Sequence, residues 1–277
     1  MINILTDSCS DLNKELNEQH QLGVIRLSVY INDRTYFDGQ DIDTTSLFAL
    51  VEKTGTLPKT SAPSVAEFVK FFDRPGDSIF IGIGSPLSAT YSNAVIGSQN
   101  LEGRSVRVID SMNLSTGIGL LVLKAAELAE AGCSPDEIEN QVKLAVPKVH
   151  TSFMVDTLEY IYKGGRCSSI EMIVGSLLKI RPVIEVRPDG SLGVREKTRG
   201  TRKKARDSLL ADYRLHLAEI DLHHVFITHT NCDEDAQYLA AELQKMAPIR
   251  CLHITYAGST IASHCGPGCI GILYLKV

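Results

Sequence analysis

Hydroxyl side chains gather at two places where a short apolar run hands over to a helical pattern, and both could hold an anion. The first is Lys59-Thr60-Ser61-Ala62-Pro63-Ser64. Ser64 with Glu67 makes a capping box ahead of Phe68, Val69, Phe71 and Phe72, so Ser64 suffices to start that helix. Thr60 and Ser61 are then surplus hydroxyls beside a helix N-terminus, where free N–H groups and the helix dipole favour negative charge. The second place is Gly84-Ser85-Pro86-Leu87-Ser88-Ala89-Thr90-Tyr91, directly after the apolar run 79–83. Open α/β sheets bind ligands at such carboxyl ends of strands. Gly82-Ile83-Gly84 lacks the third glycine of a dinucleotide fingerprint, and Asp110 lies too far along to serve as its acidic partner.

A third constellation is His264-Cys265-Gly266-Pro267-Gly268-Cys269. A lone histidine is commonly structural, but here it precedes a turn where backbone can approach a ligand, and imidazole can donate to a carboxylate. Ser88 and His264 together raise a Ser-His hydrolase, although Pro-Leu-Ser-Ala-Thr is no nucleophile elbow. Cys265 and Cys269 with His264 do not complete a four-ligand zinc set, so no metal is expected there. The charge pattern adds a fourth feature. Residues 195–206 hold seven Lys and Arg against one acid, Glu196, in a chain of net charge -5. Bases near a helix start oppose its dipole, so the segment is expected to face phosphate or an acidic partner. Lys163-Gly164-Gly165-Arg166 is a second basic turn, ahead of a helix expected to start at Ser168 or Ser169.

Elements must position these groups. Brief β-branched runs at 2–5, 24–31, 79–83 and 106–109 read as strands, separated by helical patterns. Ser134 and Glu137 form a second capping box, with Pro135 at the first helical position. A helix is expected over 114–131, stopped by Gly132. The rhythm restarts near Lys148: strands at 150–155, 192–197, 224–229, 251–256 and 269–275, a helix end from Leu177 turning into a strand after Pro182, and helices over 201–218 and from Asp233 to Lys245. Alternation of this kind favours α/β architecture, here two α/β lobes, 1–148 and 149–277, with mainly parallel sheets and a ligand at the lobe junction.

The chain has 277 residues, 44% of them hydrophobic, so it can bury a core without disulfide or metal staples. Net charge -5 and the absence of Trp argue against nucleic acid as a partner. The apolar run 117–123 is cut by Lys124, which leaves at most transient membrane contact. Asp7 and Asp11 stand where a signal peptide needs an apolar run, and seven Cys without a CxxC pair suit a reducing compartment, so a cytoplasmic location is expected.

Taken in order, the motifs resemble the DegV family, bacterial fatty-acid-binding proteins that serve as acyl-carrier subunits of fatty acid kinase. They are Thr6-Asp7-Ser8, Asp38-Gly39, Thr60-Ser61, Leu87-Ser88-Ala89-Thr90-Tyr91, Asp110-Ser111, Leu158-Glu159-Tyr160 with Lys163-Gly164-Gly165-Arg166, the basic stretch 197–204, and His264 with Gly266-Pro267-Gly268. The resemblance implies one long-chain fatty acid enclosed between two lobes and no other cofactor. Its carboxylate would bond the hydroxyls of Thr60 and Ser88, with Ser61, Ala89, Arg166 and His264 around it. It also implies a non-catalytic protein whose partner is a fatty acid kinase catalytic subunit. Local charge makes Arg199 and Arg202 the expected contacts for that partner. Ala89 stands where the family usually has Gly, and Cys265 and Cys269 stand where small or hydroxyl residues are commoner. The competing reading is an acyl hydrolase or transferase using Ser88 and His264.

Overall fold

The computed structural model describes residues 2–167 and 180–277. The first lobe opens with β1 (Ile2–Asp7), α1 (Lys14–Gln19), β2 (Gly23–Ile25), β3 (Ser28–Ile31), β4 (Arg34–Phe37) and α2 (Thr44–Thr54). It continues with β5 (Lys59–Ser61), α3 (Val65–Phe72), β6 (Asp77–Gly82), α4 (Thr90–Gln99), β7 (Ser105–Asp110), α5 (Thr116–Glu130) and α6 (Pro135–Ala145). The second lobe contains β8 (Val149–Met154), α7 (Glu159–Gly164), β9 (Ile180–Val186), β10 (Leu192–Arg199), α8 (Arg202–Leu215) and β11 (Ile220–His229). It ends with α9 (Asp233–Met246), β12 (Cys251–Tyr256), α10 (Ser259–Cys265) and β13 (Ile270–Lys276).

The main sheet of the first lobe, β2-β1-β6-β7, is parallel throughout. Ile79, Phe80 and Ile81 of β6 are fully buried, as expected of a central parallel strand covered on both faces. Phe68 and Phe72 of α3 pack on Phe80 with ring centroids 5.4 and 5.6 Å away. Both capping boxes are present, Ser64 with Glu67 and Ser134 with Glu137.

The α/β reading holds, but mainly parallel sheets occur in the first lobe alone. The six-stranded sheet β10-β9-β8-β13-β11-β12 is antiparallel except for its β11–β12 edge. Strand direction depends on where a crossover returns, and short-range periodicity carries no record of that. The run 24–31, expected as one strand, divides: β2 joins the parallel sheet and β3 joins a small antiparallel sheet, β4-β3-β5. The break is held by Leu27 N–H on Ser8 Oγ (3.1 Å) and Arg26 on the Asp38 carbonyl (2.7 Å). Pro182 lies inside β9, not before it. The helix expected at Ser168 or Ser169, and the helix end expected from Leu177, lie outside the described residues.

Two helices tie the lobes together. Ten residues of α5 are buried, and it touches β1 and β6 on one side and β8, β11 and β13 on the other. The stretch 116–123 carries no charged residue and is buried on every side. Gly119 permits the fit, since a Cβ there would lie 2.8 Å from Leu12 and 3.1 Å from the Ser10 carbonyl. α10, from the C-terminal end of the chain, packs on β3, β5 and α2 of the first lobe, with Ala262 buried among Val29, Ile31, Ile42 and Leu47.

Candidate functional site

A cavity of about 220 Å³ lies where these elements converge. Five of the six residues expected around the carboxylate line it: Thr60, Ser88, Ala89, Arg166 and His264. Thr60 comes from β5, and its Oγ1 lies 2.8 Å from His264 Nε2 on α10, across 204 positions of sequence. The packing of α10 on β5 makes that contact. Ser61, one residue on, alternates to the other side of the strand; it is exposed and does not line the cavity.

His264 is neutral at neutral pH: burial, then the positive charge of Arg166, pushes its pKa down to about 4. Its Nδ1 is buried without a well-formed hydrogen bond, against the backbone of Gly164. A Cβ on Gly164 would lie 2.7 Å from that nitrogen, so the glycine is what lets the turn close over the ring. Arg166 donates to the Gly164 carbonyl (2.6 Å) and reaches the Leu87 carbonyl (3.5 Å), which links the α7 turn to the Ser88 loop.

Ser88 Oγ lies 2.8 Å from Thr90 Oγ1 and accepts from Thr90 N–H (3.3 Å). Ala89 occupies the N-cap of α4 and supplies no side-chain cap, so beyond Thr90 N–H, which Ser88 meets, the first turn has N–H groups that could serve an anion. His264 bonds Thr60 and Ser88 bonds Thr90. The nucleophile–base contact that a Ser-His enzyme requires is therefore not made.

Away from this polar end the wall is aliphatic, with Leu27, Ile83, Leu114, Ile161, Leu192 and Leu273. Thr260 also lines it, with its Oγ1 buried and lacking a well-formed hydrogen bond, while three further hydroxyl residues reach it with their oxygens engaged elsewhere. Ser115 donates to Asp11 (2.5 Å), Thr151 to Asn113 (2.8 Å), and Thr228 bonds Thr116 and Thr255 (2.6 and 3.0 Å). Cys265 and Cys269 are buried free thiols of the same wall.

Sequence reasoning left the roles of Asp7, Asp11 and Asp38 unassigned. They form a buried acidic cluster behind the site. Asp7 accepts from the N–H of Cys9 and Ile83 (2.9 and 2.8 Å), Asp11 from Gly258 N–H (2.8 Å), and Asp38 from Ser259 N–H (2.7 Å). Burial raises the pKa of all three, that of Asp7 to about 7.

The basic segment is less free than its composition suggests. Arg202 is held by Asp235 (2.5 Å) and the Gly268 carbonyl (2.7 Å), with Asp156 at 3.6 Å. Arg206 bonds Asp235 and lies over the Tyr238 ring, and Arg195 pairs with Asp212. Lys197, Arg199, Lys203 and Lys204 remain exposed.

The sequence model described as "Uncharacterised protein, DegV family" matches residues 1–277. A DegV domain-containing protein of Caldanaerobacter subterraneus is 33% identical over 279 residues, covering 99% of this chain and 98% of its own. Protein DegV of Bacillus subtilis is 32% identical over 278 residues, with the same coverage of both chains. Among solved structures, a DegV family protein from Thermus thermophilus, described by its fatty acid binding, superposes with a TM-score of 0.92 at 28% identity, covering 100% of this chain and 99% of its own. DegV of Bacillus subtilis, described as a fatty acid binding protein, gives 0.90 at 31% identity with the same coverage.

Proposed function

The chain belongs to the DegV family, and from that premise we propose that it is a carrier for one long-chain fatty acid. The observation that carries this reading is the division of the cavity, a cluster of donors at one end and aliphatic wall beyond it. In this reading the carboxylate lies between Thr60 and Ser88, at the open first turn of α4. A buried carboxylate must meet donors or protonate. Thr60 supplies a hydroxyl, and the exposed guanidinium of Arg166 keeps the carboxylate ionised. An arriving anion also raises the pKa of His264, so imidazole, threonine and carboxylate can form a chain of hydrogen bonds. The tail supplies most of the grip, since about 0.8 kcal/mol per buried methylene amounts to roughly 10 kcal/mol gross for a C16 chain.

The protein then acts in the cytoplasm by presenting the carboxylate to a fatty acid kinase catalytic subunit, which brings ATP and forms the acyl phosphate. Arg199, with Lys197, Lys203 and Lys204, is the surface offered to that partner. Arg202, held by Asp235 and Gly268, supports the fold beneath it. Native mass spectrometry of the purified protein tests the carrier reading. A bound mass of a fatty acid supports it; an empty protein that takes up no fatty acid on titration overturns it. With the kinase subunit and ATP added, Arg199→Glu combined with Lys203→Glu should lower acyl-phosphate formation while lipid occupancy stays at the wild-type level. Unchanged turnover removes the patch from the proposal.

A further inference from the structure

Away from the cavity, the far end of α5 meets β11, whose neighbour is β12, at a group of nitrogen, sulfur and oxygen donors. β11 and β12 run parallel with His224 opposite Cys251 and Phe226 opposite His253. The two-residue spacing of Cys251 and His253 places both on one face of the sheet. That face looks toward α5: Phe226 joins the core built around that helix, while Val225 and Ile227 join the core beneath α8 and α9. An irregularity in register between Ile220 and Val225 accompanies a second feature. The consecutive residues His223 and His224 both reach Glu127 of α5, at 3.6 and 2.9 Å. His224 Nδ1 lies 2.9 Å from His253 Nε2, and Cys251 Sγ completes a trio whose ligand atoms all lie within 4.8 Å of one another.

We propose that His224 Nδ1, His253 Nε2 and Cys251 Sγ form a zinc site with a fourth position open to water, and that Glu127 orients His224 within it. Two imidazoles and a thiolate suit this borderline-soft, tetrahedral ion. Metal–nitrogen bonds of about 2.0–2.1 Å at a tetrahedral angle put the two nitrogens about 3.3 Å apart, so the rings need to separate by only about 0.4 Å. Glu127 accepts the Nε2–H of His224, which leaves the Nδ1 lone pair facing His253 and Cys251. This is the carboxylate–histidine–metal arrangement that fixes tautomer and ring orientation. Binding proceeds by proton release: the Cys251 thiol proton leaves to solvent as the Zn–S bond forms. The proton now shared between the imidazoles moves to the other nitrogen of His253. All three ligands are half-buried, and β12 is the edge strand of its sheet, so the ion has a path in. A second group, His150, Asp212 and His216, does not compete, because the Arg195 guanidinium already sits on Asp212.

The test is titration of Zn²⁺ into the full-length, reduced, chelator-treated protein against a chromogenic chelator, with Co²⁺ absorption as the spectroscopic readout. One equivalent should bind. Glu127→Ala should weaken it roughly 10–100-fold, and Cys251→Ser and His253→Ala by more than that. Cys251→Ser should also lose the thiolate-to-cobalt charge-transfer band. His216→Ala should bind as the wild type does. Wild-type affinity in Cys251→Ser and His253→Ala, or no binding to the wild type, overturns the proposal. Glu127 lies about 18 Å along α5 from Ser115, so fatty acid uptake and the circular dichroism spectrum serve as controls that each variant is folded.

Discussion

Two polar clusters share one short helix, α10, and they are built in opposite ways. At its N-terminal end, Gly258 and Ser259 donate to Asp11 and Asp38, carboxylates buried inside the first lobe, with Asp7 close by. There each carboxylate accepts at least one hydrogen bond from a protein N–H group. At its C-terminal end, His264 and Thr60 bond each other and face a cavity, with Arg166 and the uncapped start of α4 around them. One cluster is built on carboxylates, the other on a hydroxyl, an imidazole and a guanidinium. What separates a scaffold cluster from a ligand site is whether its donors and acceptors are matched within the protein or against open space.

The largest effect that would test this contrast is on folding. Asp11→Ala leaves the Gly258 N–H and the Ser115 hydroxyl unanswered in the interior. It should cost about 2–4 kcal/mol of stability, measured by urea denaturation of the ligand-free protein. A loss below ~1 kcal/mol would mean that water answers those donors, and the contrast would fail.

Next comes an effect on binding. Thr60→Val keeps the β-branched shape but removes a hydrogen bond to a charged group. It should weaken fatty acid binding roughly 10–100-fold in equilibrium titration. Stability of the ligand-free protein should change by less than ~1 kcal/mol. If Thr60→Val instead destabilises the empty protein as much as Asp11→Ala does, Thr60 is scaffold.

The smallest effect is one of slope, at most about 1.4 kcal/mol per pH unit for each proton. Asp7 has its pKa raised from 3.8 to about 7, so the folded state holds a proton that the unfolded state has lost, and stability falls as pH rises from about 4 to about 7. Asp11 and Asp38 act in the same direction. His264 is lowered from 6.5 to about 4, so its contribution is lost as pH falls from about 6.5 toward 4. The two clusters oppose each other over one window. Asp7→Asn, which cannot accept at both of its N–H partners, should be less stable at every pH but should steepen the loss on acidification. His264→Gln should steepen the loss toward neutrality. Parallel pH profiles for the two variants would show that the clusters do not differ in this respect.

Much of this was legible in the residues. The capping boxes at Ser64 and Ser134 mark helix starts because their interactions span only three positions, and helical spacing of apolar residues over 114–131 marks α5. Thr60 and Ser88 stood out because hydroxyls collect where strand yields to helix, and His264 because it precedes a glycine-rich turn. Arg202 was read as surface from its basic neighbours. Its partners Asp156, Asp235 and Gly268 lie 33 or more positions away and leave no local trace. Separation also hid the trio, since His224 lies 29 positions from His253 and only the pairing of β11 with β12 brings it to Cys251 and His253.

The sequence by itself determined the local elements, the α/β class and the chemical types present at each loop, because propensity, capping and periodicity act over a few residues. Tertiary structure alone decided that β2 and β3 part into different sheets and that the second sheet is mixed. It also decided that α10 crosses to the first lobe, placing His264 on Thr60 and handing Asp11 and Asp38 the N–H groups of Gly258 and Ser259. Those outcomes rest on contacts between residues up to 247 positions apart. Their energy comes from burial of whole faces, and no short window of sequence contains it.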